Sequence, residues 1–183
     1  LKVTYRELQA KFNRCEKDYG ELKDIIAKEF TKIDEKFIDF ENAMENNDYV
    51  KVEEIVILIE EDLQKLKSIL DNFPSILLMA NILIPGKIEE AKVAYSRMQR
   101  DGYPLDYLNI EYNISEIRKK CQNIIESLKK FEIGDASLEL KTMLDYLNSI
   151  FKNNNKEKEN KDYFKENCKV LKYKLENINK VVY

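Results

Sequence analysis

Apolar side chains recur at seven-residue intervals over most of this chain. Tyr5, Phe12, Tyr19, Ile26, Ile33 and Phe40 form one line, and a second begins as Leu8, Cys15 and Leu22 before moving to Phe30, Phe37 and Met44. Such a repeat marks a helix that presents one face to a partner, and the creeping second line implies weak supercoiling rather than a tight two-stranded coil. The pattern predicts one helix over about residues 1–46, roughly 69 Å long at about 1.5 Å per residue, with Gly20 tolerated inside it at a cost of about 1 kcal/mol.

Asn46-Asn47-Asp48 then reads as a turn and helix N-cap. Val52, Val56, Ile59, Leu63, Leu66, Leu70 and Phe73 keep a 4-3-4-3 spacing, which predicts a second helix over about 48–101. Pro74 and Pro85-Gly86 are expected to bend or break it. Between them, residues 76–84 are apolar on nearly every face. The run is too short to cross a bilayer and is expected to be buried by neighbouring helices or by another subunit. Ile88, Ala91, Tyr95 and Met98 resume the stripe as far as Asp101-Gly102-Tyr103-Pro104, a clear turn. Ile110, Ile114, Ile117, Cys121, Ile124, Leu128 and Phe131 then predict a third helix over about 106–132, closed by Gly134.

The last segment places Leu140, Leu147, Cys168, Leu175 and Val182 in one register, although Lys152 to Asp162 contains no apolar side chain. Leu147 and Cys168 are three whole heptads apart. The register therefore survives the polar run, and one continuous helix from 136 to about 180 is expected rather than a loop at Asn153-Asn154-Asn155. Weak self-similarity at an offset of 88 pairs Val50, Ile55 and Ile59 with Leu138, Met143 and Leu147.

These elements imply an all-α fold of long antiparallel helices, with residues 1–134 forming one three-helix repeat and 135–183 a long helix that begins the next. In that arrangement residues 74–100 lie between the start of the first helix and the third. The hairpin of 28–46 against 48–73, and the residues beyond about 162, are left with apolar stripes and too few partners. Neighbouring units of an extended array are expected to cover them, and in the fragment alone a homodimer is expected.

Composition narrows the function. Only four Gly and three Pro occur in 183 residues, which excludes strand-rich folds that need frequent turns. The net charge is −3, with 31 Lys+Arg intermingled with 34 Asp+Glu, and no basic stripe for nucleic acid is present. No apolar run reaches the length of a membrane span, and the start at Leu1 suggests a piece of something longer. Histidine is absent, which removes the commonest general base and metal ligand. Cys15, Cys121 and Cys168 have no CxxC spacing, so neither a disulfide framework nor a thiolate metal site is supported, and a reducing cytosolic setting fits. The acidic pairs Glu53-Glu54, Glu60-Glu61 and Glu89-Glu90 point about 100° apart along a helix, as solvated faces do. No catalytic, cofactor or metal residue is assigned; the chain reads as a non-enzymatic contact protein.

Several elements in order carry a resemblance. Asn47-Asp48-Tyr49 opens a helix, followed by Phe73-Pro74, Ile84-Pro85-Gly86, Tyr95, Met98 and Gly102-Tyr103-Pro104-Leu105, with Asp135-Ala136 and Ile150-Phe151 further on. Together they resemble the septation ring formation regulator family (EzrA) of Gram-positive bacteria. Ala94 and Lys87 stand where the family pattern has Gly and Gln. The resemblance implies a spectrin-like array of helical repeats on the cytoplasmic side of the membrane at the division septum, tethered by an N-terminal helix outside this chain. It also implies action on the tubulin-like division protein FtsZ and on cell-wall synthesis partners. The rival reading is a coiled-coil spacer or adaptor with no FtsZ contact.

Overall fold

Gly20 decides the topology. In the computed structural model, which describes residues 1–103 and 109–181, Gly20 has φ 49° and ψ −124°, a backbone conformation open to glycine and costly for residues with a Cβ. Cys15 also leaves the helical region, at φ −113° and ψ 18°. Between α1 (Lys2–Arg14) and α2 (Lys23–Glu45), the chain therefore runs through a broken 3-10 segment, Glu16–Leu22. It reverses there: Lys2 Nζ lies 2.7 Å from Glu41 Oε1, a pair that a straight helix would hold far apart.

The single helix expected over 1–46 is thus a helical hairpin. Its heptad lines are real, since Tyr5, Phe12, Tyr19, Ile26, Phe30 and Ile33 are all buried. They face one another across the hairpin instead of lying along one rod. Tyr5 meets Phe30 and Phe37 edge-on at 5.6 and 5.5 Å between ring centres, and Phe12 packs on Tyr19 and Phe30 at 5.5 and 5.4 Å. The hairpin of 28–46 against 48–73, expected to lack partners within this chain, is covered by α1 for this reason.

Asp48 caps α3 (Tyr49–Leu78) by accepting from the Lys51 backbone N–H at 3.2 Å, after a tight turn in which Asn47 takes φ 58°. The expected bend at the prolines is milder than a break. Pro74 lies inside α3, and a π-helical segment, Met79–Leu83, leads without interruption into α4 (Ile84–Arg100). A proline ring collides with the carbonyl four residues before it, here Asn81, and the wider π turn ahead of Pro85 makes room for it. This long helix is apolar enough by length and composition to cross a membrane, which counting uninterrupted apolar runs did not reveal. Of the qualifying window, 44% is buried inside the protein.

Two compact units are distinguished, residues 1–83 with 118–140 and residues 84–117 with 141–183. In the first, α1, α2 and α3 form an antiparallel three-helix bundle. Lys11 pairs with Asp71 and Lys36 with Asp62 across its seams. The end of α5 (Ile110–Lys129) and the turn beyond it close over the bundle. Phe131, at φ 61°, stacks 6.2 Å from Phe73 beneath the Lys65 ammonium.

In the second unit, Ile84, Ile88, Ala91, Ile110, Ile114, Leu147 and Ile150 make the core. Asn113 donates to the Tyr146 hydroxyl at 2.6 Å, and Lys87 sits 5.6 Å over the Phe151 ring. The last helix, α6 (Ala136–Val181), is 46 residues long and passes through the polar run unbroken, so the register argument is borne out. Lys161 hydrogen-bonds the Asp101 carbonyl and lies 4.0 Å over the Tyr103 ring. The polar stretch thus reaches the Gly102 turn, where no core demands apolar residues. The predicted start of the third helix at 106, Pro104-Leu105 and Val182 lie outside the described residues. At the offset of 88 burial agrees for Val50 with Leu138, Ile55 with Met143 and Ile59 with Leu147, but Val52 is half-buried where Leu140 is buried and Leu63 is buried where Phe151 is half-buried.

Candidate interaction surfaces

Among the described residues no group of three His, Cys, Asp or Glu converges where a metal ion would sit. The cysteines are separate: Cys15 is half-buried, Cys168 exposed, and Cys121 buried, with its thiol pushed up by desolvation. Glu89 and Glu90 face Lys92 at 3.5 Å and Lys87 at 2.7 Å, one turn away on the same helix. Glu53, Glu54, Glu60 and Glu61 are exposed. No pair of these carboxylates shares a pocket.

A more specific feature joins the broken segment 16–22 to Pro74. Proline has no N–H, so the Leu70 carbonyl four residues before it loses its helical donor. The Tyr19 hydroxyl donates to that oxygen at 3.3 Å, and both residues are essentially inaccessible to solvent. Burial, reinforced by the charges of Cys15, Asp18 and Asp71, pushes the Tyr19 phenol up to about 12. The hydroxyl therefore remains a donor throughout the ordinary pH range. Tyr5 differs: its hydroxyl is buried without a hydrogen-bond partner. Its pKa is raised, first by burial and then by the nearby Asp34 carboxylate.

A groove of about 680 Å³ in the first unit is lined by both Pro74 and the segment that carries Tyr19. Its walls are Leu22, Pro74, Leu77, Leu78, Ile82 and Ile125, and its rim carries Lys17, Asp18, Glu21 and Asn81. The expectation for residues 76–84 is met in part by neighbouring helices. Ile76, Leu77, Ala80 and Ile84 are buried, but Leu78, Ile82 and Leu83 are 48%, 62% and 43% exposed. Helical geometry sends residues on opposite faces of one helix in opposite directions, so a run that is apolar all round needs cover on every side. Here it has cover on one.

Two further surfaces stand out. The outer face of α3 at its start exposes Val50, Ile57 and Leu58 among the four glutamates. The distal part of α6 exposes Phe164, Cys168, Leu171 and Leu175, although they continue the register of buried Leu140 and Leu147. The sequence identified this second stripe as one with too few partners, and the structure leaves it uncovered. The groove was not legible, because it depends on the reversal at Gly20.

The sequence matches the family described as "Septation ring formation regulator, EzrA" over residues 1–183. Similar curated proteins of that name include one from Geobacillus sp. (strain WCH70), 23% identical over 98% of this chain and 32% of its own length. Another, from Staphylococcus epidermidis, is 22% identical over 82% of this chain and 27% of its own length. A third, from Bacillus subtilis (strain 168), is 25% identical over 73% of this chain and 24% of its own length. The chain thus spans about a quarter to a third of the curated relatives it matches. No solved structure matches it.

Proposed function

We propose, from the fact that this chain belongs to the septation ring formation regulator family, EzrA, that it is a non-catalytic cytoplasmic segment of a membrane-tethered division regulator that binds FtsZ and restrains assembly of the septation ring. The family match over the whole chain is the observation that carries this reading. The surface supports it: the conspicuous features are apolar stripes and a groove suited to protein contact. Within the same proposal, residues 1–134 form a spectrin-like repeat and 135–183 begin the next, with the first helix of that repeat folded as a hairpin. Cell-wall synthesis proteins are further partners, and the membrane tether is an N-terminal helix outside this chain.

Long arrays draw strength from several weak contacts acting together, so one segment is expected to bind weakly by itself. The test is co-sedimentation with FtsZ polymers, with the 183-residue chain presented singly and then densely on beads. The expected result is faint pelleting of the single chain and clear FtsZ-dependent capture by the beads. A chain with scrambled surface charges and apolar positions should lose that capture. No capture even at high density would leave the spacer reading in place. Sub-micromolar binding by the single chain would instead make this segment the principal docking site.

A further inference from the structure

The polar run of α6 is fastened at both ends by a lysine over an aromatic ring. Lys87 of α4 lies 5.6 Å over Phe151 where the run begins, and Lys161 of α6 lies 4.0 Å over Tyr103 where it ends. Between them stand Asn153, Asn154 and Asn155, poor helix formers in a stretch with no apolar side chain to bury. Propensity alone leaves helix and loop close here, yet the helix is unbroken.

The receptor for Lys161 is built by the way α4 stops. Gly102 takes φ 76°. Its N–H donates to the Gln99 carbonyl at 3.0 Å, and the Tyr103 N–H donates to the Met98 carbonyl at 3.1 Å, the paired bonds of a glycine-terminated helix. The Asp101 carbonyl, at the negative end of the α4 dipole, accepts from the Lys161 ammonium. A Cβ at Gly102 would stand 3.8 Å from Lys161 Nζ, so the lysine reaches the helix end across a residue with no side chain. A carbonyl, a helix C-terminus and the face of half-buried Tyr103 thus converge on one half-buried cation. Gly102 and Tyr103 belong to the ordered residues that carry the family resemblance, and this contact gives them a task.

We infer that Lys161 and the Gly102-Tyr103 turn form a clasp that sets the register of α6 on the end of α4 and selects helix over loop between Lys152 and Asp162. With the clasp closed, α6 passes through the polar run as one rod. With it open, the three asparagines become a hinge, because nothing in their own side chains favours the helix. The clasp lies within the second unit, and the inference does not depend on FtsZ binding.

Amide exchange of the 183-residue chain, read peptide by peptide, is the test. Tyr103→Leu changes no residue of α6, yet it should speed exchange over 153–160 about five- to tenfold, the worth of a cation–π contact and the hydrogen bond it helps to orient. Lys161→Gln should do the same. Lys161→Arg and Tyr103→Phe should stay near the parent rate, since guanidinium keeps the charge and the donors and phenylalanine keeps the ring. Combining Tyr103→Leu with Lys161→Gln should add little to either change alone, because each opens the same clasp. Exchange over 140–150, where the core side chains are buried, should be unaffected in every variant. The inference is overturned by an unchanged rate over 153–160 in Tyr103→Leu, by effects that multiply in the double variant, or by Lys161→Arg behaving as Lys161→Gln. Equal acceleration over 140–150 would overturn it too, by making the contact an ordinary part of the core.

Discussion

Replacing Tyr19 by Phe removes one oxygen atom from the centre of the first unit and leaves the ring packing in place. Its cost depends on Pro74. With proline at 74, the Leu70 carbonyl has no amide donor from that position, and the Tyr19 hydroxyl at 3.3 Å is its substitute. Leu70 is 1% exposed and Tyr19 0%, so water is poorly placed to replace it. An unsatisfied buried carbonyl costs about 1–3 kcal/mol, and the length of this bond argues for the lower half of that range. In a Pro74→Ala background, residue 74 regains an N–H aimed at Leu70, and deletion of the hydroxyl should cost only a few tenths of a kcal/mol. Urea unfolding of the four proteins in this cycle should therefore give a coupling of about 1 kcal/mol, readable as a Tm difference of about 2–4 °C for a chain of this size. Equal costs of Tyr19→Phe in the two backgrounds would refute the account and reduce the contact to coincidence.

Gly20→Ala should destabilise the chain by about 1–2 kcal/mol, because φ 49° with ψ −124° is strained for a residue with a Cβ even though no atom lies within 4 Å of the added carbon. Thermal unfolding will show this, and an unchanged Tm would mean that the reversal does not need glycine. Tyr5→Phe should be neutral or stabilising by up to about 1 kcal/mol, since it removes a buried hydroxyl with no partner; a loss above that would reveal a bond to solvent or Asp34. Both tyrosines have raised pKa values, Tyr19 about 12 against an ordinary 10.0. Neither phenol lowers the stability of the fold by ionising below pH 10, and stability declines as pH rises towards and through 12, because the unfolded chain loses those protons first. Urea midpoints at pH 9 and 11 should differ accordingly, and the difference should shrink in Tyr19→Phe. Amide exchange along α6 should be slow over 140–150, where the core side chains are buried, and fast over 162–177, where all side chains are exposed. Equal protection in the two stretches would show that the distal seam is covered.

Heptads specified which residues meet a partner but not where that partner comes from. Tyr5, Phe12, Tyr19, Ile26 and Ile33 are core whether the first 45 residues form a rod or a hairpin, because each arm keeps its own inward face on either side of the seven-residue segment Glu16–Leu22. The signal that separates the cases is Gly20, and a helix-propensity cost of about 1 kcal/mol is too small to announce a chain reversal. In α6 the same reasoning succeeded. The three-heptad phase from Leu147 to Cys168 outweighed three asparagines, and Lys161 meets the end of α4 at the level where the core gives out.

Surface features were legible in proportion to how locally they are built. The distal stripe of α6 belongs to one helix and could be read from spacing. The groove beside Pro74 needs side chains from the 16–22 turn, α3, the π segment and α5 at once, so no single window of sequence contains it. Pro74 itself links the two scales. In sequence it is a helix breaker, yet the helix continues because an element 51 residues away supplies the hydrogen bond that proline removes. If that is why the helix tolerates Pro74, then the reversal at Gly20, the position of Tyr19, the continuity of α3 and the shape of the groove wall form one coupled feature. Loosening the 16–22 segment should therefore alter the groove before it alters the rest of the bundle.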